Sequence, residues 1–177
     1  MTLPVKYQIR PFPNYWHYIP ASNTSLALTF FSTIYLPREL YNKLTSPNPD
    51  LFSKSVLLHE RTHLLELYEY GSLKWYLRYL LSRQFRFSAE LRAIEVQMNY
   101  LAAHGGNYDL EWKADQLSNS TYVWAAAYTE AKSTLTKMWE DAKKHPPTDT
   151  RALDAEVQMM LGKIVPAQGT ASPLHFS

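Results

Sequence analysis

His59-Glu60-Arg61-Thr62-His63 is the stretch of this chain whose residue types and spacing most directly suggest chemistry. Four residues of α-helix turn through about 400°, so two histidines at i and i+4 project from one face, a single turn apart. Two imidazoles so placed can bind one divalent ion, and the glutamate between them lies about 100° around the helix, near the ion and free to act as a base. The pattern points to metal-assisted hydrolysis, most often of a peptide bond.

A helix must hold that pattern. Asn48-Pro49-Asp50 supplies starting chemistry, and Leu51, Phe52, Val56, Leu57, Leu64, Leu65 and Tyr68 recur at helical spacing. The periodicity predicts a helix over about 49–70, stopped by Gly71. A catalytic zinc ion takes three protein ligands and leaves one position open. The chain has no cysteine, so the third donor has to be a histidine or a carboxylate. An extended motif with glycine and histidine three and six residues after His63 is disfavoured, because Glu66 and Glu69 stand there. The stronger candidate is Glu90, 27 positions after His63 and beside the apolar stripe of a later helix, with small Ala93 one turn on; Glu95 is the alternative. In this reading neutral His59 and His63 and ionised Glu90 hold Zn²⁺. Glu60 takes a proton from the attacking water and passes it to the leaving amine.

These residues resemble the zincin metallopeptidases, and within them the gluzincin-like group, through His59-Glu60-x-x-His63 and Glu90-x-x-Ala93. More loosely, Ser32-Thr33-Ile34-Tyr35-Leu36-Pro37 and Tyr70-Gly71-Ser72-Leu73-Lys74-Trp75 look like small bacterial and phage-encoded zincin-like proteins. The likeness spans about residues 25–104. It implies a strand along the active-site cleft that pairs with an extended substrate: a peptide, a protein or the peptide of peptidoglycan. It also has gaps. The larger thermolysin-like enzymes carry an Asp four residues after the ligand Glu, where this chain has Ile94. No histidine stands out as a transition-state stabiliser, since His104 lies about 21 Å along a straight helix from Glu90. Tyr68, Tyr76, Tyr79 and Tyr100 are the tyrosines considered for that role. The gaps keep a second function open: a zincin fold serving as an assembly component, for example of a phage particle.

Around the site, 177 residues with 46% hydrophobic and 19% charged content describe one globular domain of mainly helical α+β class. The expected organisation is an aromatic, proline-rich arm over 1–24, a domain over 25–163, and a tail over 164–177. Arm and tail are candidate contacts for protein partners. A net charge of +2 does not argue for nucleic acid. No apolar run is long enough to span a bilayer and no secretory h-region opens the chain, so a cytoplasmic or virion-associated protein is expected.

Residues 5–9 alternate as a short strand, and 26–36 as a hairpin turning near Phe31-Ser32. Further helices are expected from Ser72, from Ser88 to Gly105-Gly106, over 110–117, over 122–144 and over 149–163. Leu73, Tyr76, Leu77, Leu80 and Leu81 form a stripe read as the core face of the second helix. Lys74, Arg78, Arg83 and Arg86, near Trp75, Tyr79 and Phe85, raise binding to an anionic membrane or nucleic acid. A solvated basic face opposite a core stripe is the preferred reading.

Overall fold

The computed structural model describes residues 6–13 and 26–165. Seven α-helices and a three-stranded sheet make up the described residues, a mainly helical α+β fold as the sequence leads one to expect.

The sheet is short and mixed. Strand β1 (Gln8–Pro11) runs parallel to β3 (Thr33–Leu36), and β2 (Leu28–Phe30) runs antiparallel on the other side of β3. Ile9, Ile34 and Leu36 are fully buried and tie the sheet to a core that includes Leu57, Leu64 and Met160. The expected hairpin forms, with Phe31 held at φ 50° in its turn. That conformation disfavours a bulky side chain. The hydroxyl of Tyr76 supports it by accepting the Phe31 N–H at 2.7 Å.

The expected arm and tail are both partly woven into this core. Tyr7, Ile9 and Phe12 are buried, and Ile164 bridges to Ile9, while the Val165 N–H donates to the Ile9 carbonyl at 2.9 Å. The rest of the arm (1–5, 14–25) and of the tail (166–177) lies outside the described residues.

Pro37 ends β3 and opens a helix that the sequence pattern had not suggested, α1 (Arg38–Leu44). Helix α2 (Leu51–Tyr70) starts where Asp50 accepts the Ser53 N–H at 2.8 Å, and it ends at Gly71, whose φ of 78° suits a residue without Cβ. Helix α3 (Ser72–Leu81) follows at once. Helix α4 (Arg83–Ala103) begins at Ser82, whose hydroxyl accepts the Phe85 N–H, and not at Ser88, which lies inside it. Nothing between 82 and 88 breaks a helix, so the earlier of two good caps prevails.

Helix α4 lies along α2. Ala89 and Ala93 have no exposed surface, and Gln97 donates across the gap to Ser55 at 3.1 Å. Helix α5 (Leu110–Ser118) and a 3-10 turn (Ser120–Tyr122) come next. Val123 and Trp124, both at positive φ, then separate that turn from α6 (Tyr128–Lys144). The single helix expected over 122–144 is therefore broken. Ile94, Met98, Leu117, Leu135 and Trp139 form the core between α4, α5 and α6. The last helix, α7 (Arg151–Leu161), packs on α2.

Helix α3 departs most from expectation. Trp75 faces inward, while Leu73, Leu77, Leu80 and Leu81, assigned to the core by periodicity, are exposed. Among the described residues no helix is long and apolar enough to cross a membrane.

Candidate metal centre

The α2–α4 contact buries charged and polar side chains where leucines would be ordinary. His59, Glu60 and His63 of α2 and Glu90 of α4 are each no more than 6% exposed. The His59 Nε2 lies 3.5 Å from Glu90 Oε2, and the His63 Nε2 lies 3.5 Å from Glu90 Oε1. Donor atoms of the three residues all fall within 4.8 Å of one another. A separation of 3.5 Å is long for a charge-assisted hydrogen bond. It is close to the edge, about 3.4 Å, of a tetrahedron with metal–ligand bonds of about 2.0–2.1 Å. Glu90 Oε2 is buried and without a hydrogen bond, which burial makes costly unless another partner is supplied. The donor set and its spacing thus fit a divalent ion.

The surrounding groups orient these side chains. The Tyr79 hydroxyl donates to Glu90 Oε1 at 2.6 Å. The Nδ1 of His63 lies 3.6 Å from Glu66 Oε2, and Glu66 is itself fixed by the indole N–H of Trp75 at 3.0 Å and by Arg92. On the sheet side, the Thr29 hydroxyl of β2 donates to Glu60 Oε2 at 2.7 Å. That bond ties an edge strand to the glutamate between the two histidines.

Beside His59 and Glu60 opens a cleft of about 240 Å³. Tyr108, Lys113 and Tyr122 also line it. Lys113 is 4% exposed, donates to the Tyr122 hydroxyl at 2.7 Å and lies 3.9 Å from Glu90 Oε2.

Protonation follows from burial and these neighbours. Burial holds His59 below its usual range and so favours the neutral ring. Burial would lower His63 as well. The charge of Glu90 and its contacts with Glu66 and Glu90 outweigh that, and His63 is pushed up to about 10. Burial alone would raise Glu90, but the His63 charge and both histidine contacts bring it well below the carboxylate range. Burial lowers Lys113 and, together with the nearby Glu90 and Glu60, raises the Tyr122 phenol far above its ordinary value. Tyr122 therefore keeps its proton.

The structure brings together His59, Glu60, His63 and Glu90. It leaves Glu95 in solvent on the outer side of α4. Helix α2 runs on past Glu66, which carries Glu69 into solvent, as the absence of a glycine at 66 implies. His104 sits elsewhere, 3.0 Å from Asp154. Of the tyrosines considered, Tyr68 is exposed, Tyr76 supports the hairpin, Tyr79 holds Glu90, and Tyr100 packs on His104. The cleft instead presents Tyr108 and Tyr122. Thr29, Glu66, Lys113 and Tyr122 were missed from the sequence. Only Glu66 carried a local signal, its i, i+3 spacing from His63; Ile94, where a supporting carboxylate was sought, is core.

Compared with known protein families, characterised proteins and solved structures, the chain shows no significant match to any of them.

Proposed function

We propose that this protein is a zinc-dependent hydrolase of peptide bonds. The observation that carries the proposal is the pair of 3.5 Å approaches of His59 and His63 to the two oxygens of one buried carboxylate, Glu90, beside a cleft that Glu60 also lines. Two histidines and a glutamate are a donor set of catalytic zinc sites. Zinc held by His59, His63 and Glu90 would supply a Lewis acid and would bring the pKa of a bound water down to about 7.

The remaining steps belong to the chain. Glu60, held by Thr29, accepts the proton of the attacking water and returns it to the departing amine. Tyr122, neutral and anchored by Lys113, donates to the carbonyl oxygen as negative charge builds on it. Among the described residues strand β2 is an edge of the sheet, and its Thr29 touches Glu60, so an extended peptide pairing with β2 passes the catalytic carboxylate.

The test compares two variants by zinc content and by cleavage of unfolded protein and cross-linked peptidoglycan. Glu60→Gln is expected to keep its zinc and lose about 10²- to 10⁴-fold in kcat. His63→Ala is expected to lose the zinc itself. Equal cleavage by Glu60→Gln and wild type would exclude the mechanism. A zinc-loaded wild type that cleaves neither substrate would favour an assembly role.

A further inference from the structure

The outer face of α3 inverts the usual partition of side chains. Leu73, Leu77, Leu80 and Leu81 are 74%, 51%, 65% and 83% exposed. On a helix turning about 100° per residue, the four fall within an arc of about 100°. Trp75 and Tyr79, two of the three aromatics of the same helix, are turned inward and stack on each other at 4.6 Å. Next to the leucines, Phe30 and Phe31 at the hairpin tip lie against Tyr76, with ring centroids 5.7 and 5.5 Å away, and extend the apolar surface beyond the helix.

Charge borders this surface on one side only. Residues 70–89 contain four basic side chains and no Asp or Glu. Two of the four are committed. Arg86 is buried and donates to the carbonyls of Tyr79, Leu80 and Val123, and Arg83 pairs with Glu130. Lys74 and Arg78 are exposed, next around the helix from the leucines, and with Leu73 and Leu77 they line a shallow groove.

We propose that this face seats on lipid bilayers carrying anionic headgroups. The leucines enter the boundary between headgroups and acyl chains, while Lys74 and Arg78 meet lipid phosphates. The chemistry selects this occupant over two others. A second copy packed antiparallel and face to face would set Lys74 and Arg78 against their own counterparts, with no carboxylate between residues 70 and 89 to balance them. A nucleic acid would stack on aromatic rings beside the basic residues. On α3 Trp75 and Tyr79 are turned inward, and the exposed Phe30 and Phe31 lie at Tyr76, across the leucines from Lys74 and Arg78.

The test is co-sedimentation of the full chain with vesicles of phosphatidylcholine alone and of phosphatidylcholine mixed with phosphatidylglycerol. The expected result is binding to the mixed vesicles that weakens as salt is raised. The double variants Leu77→Ser/Leu80→Ser and Lys74→Glu/Arg78→Glu should each bind roughly tenfold or more weakly. No binding, or binding that neither double variant weakens, overturns the proposal. So does a leucine variant that melts several degrees lower, since the face would then be covered by the chain's own segments. A leucine variant that converts a wild-type dimer to a monomer overturns it as well.

Discussion

The α2–α4 contact and the outer face of α3 break the same rule in opposite directions. In the first, His59, Glu60, His63, Glu90 and Lys113 are withdrawn from water; in the second, four leucines are left in it. The leucines lie about ten residues after His63 and about nine before Glu90, so the two regions share one stretch of chain. Burying ionisable groups is costly unless each finds a partner, and the centre supplies partners from α2, α3, α4, α5 and β2 at once. The leucine face has no comparable set. Departures from ordinary patterning that the rest of the fold supports are where function is to be sought. In the first case the support is internal, and in the second it has to come from outside the described residues.

The largest effect should come from breaking the internal pairing. Glu90→Gln removes the charge that His63 and Lys113 both face, and leaves them buried without it. In metal-free protein this should cost about 3–5 kcal/mol, measured by denaturant unfolding. A loss under about 1 kcal/mol would mean that the centre is not held by its own charges. The pH dependence of metal-free wild type probes the same pair. His63 titrates near 10 in the fold against a reference value of 6.5, so the folded state binds the extra proton more tightly. Its contribution to stability should be complete below pH 6.5 and disappear as the pH rises through about 10. For the same reason zinc must displace a proton from His63 near neutrality. Calorimetry in buffers of differing ionisation enthalpy should count that proton.

A smaller effect is expected at Tyr122. Its hydroxyl pairs with Lys113 and not with the three donors, so Tyr122→Phe should leave zinc content nearly unchanged, while the buried Lys113 ammonium, having lost that acceptor, should cost about 1–3 kcal/mol in stability. The variant should lower kcat by about 10²- to 10³-fold with little change in KM, because the lost hydrogen bond strengthens only as charge develops. An unchanged kcat would assign Tyr122 to packing over Lys113, whose ammonium lies 4.4 Å from the centre of its ring.

What the sequence disclosed of each region follows from how local the determinants are. His59, Glu60 and His63 share one helix, and the periodicity of α4 placed Glu90 beside its apolar stripe, so all four could be read from spacing. Thr29, Tyr79, Lys113 and Tyr122 reach the centre from separate elements, and only packing sets their approach. The same limit explains α3. Helical periodicity shows which face is apolar but not whether anything covers it, and here Trp75 and Tyr79 take the interior in place of the leucines. The long helix expected over 122–144 failed for a related reason. Ala125 and Ala126 pack into the core after two left-handed residues, Val123 and Trp124, which carry no turn signal of their own.

The smallest expected effect sharpens the comparison most. Leu77→Ser/Leu80→Ser removes two large apolar side chains, a change that in a core would cost several kcal/mol. On the α3 face these side chains are more than half exposed, so unfolding should shift by only about 0.5 kcal/mol or less per site. At about 2–4 °C per kcal/mol for a chain of this size, the melting temperature should move by no more than a few degrees. Leu57→Ala, at a position with no exposed surface, should cost about 2–5 kcal/mol in the same assay. If the two variants destabilise equally, the α3 leucines are as much core as Leu57, and the contrast between the two regions disappears. If they differ as expected, folding gives no reason for leucine at 77 and 80, and the reason has to be sought in what the face meets.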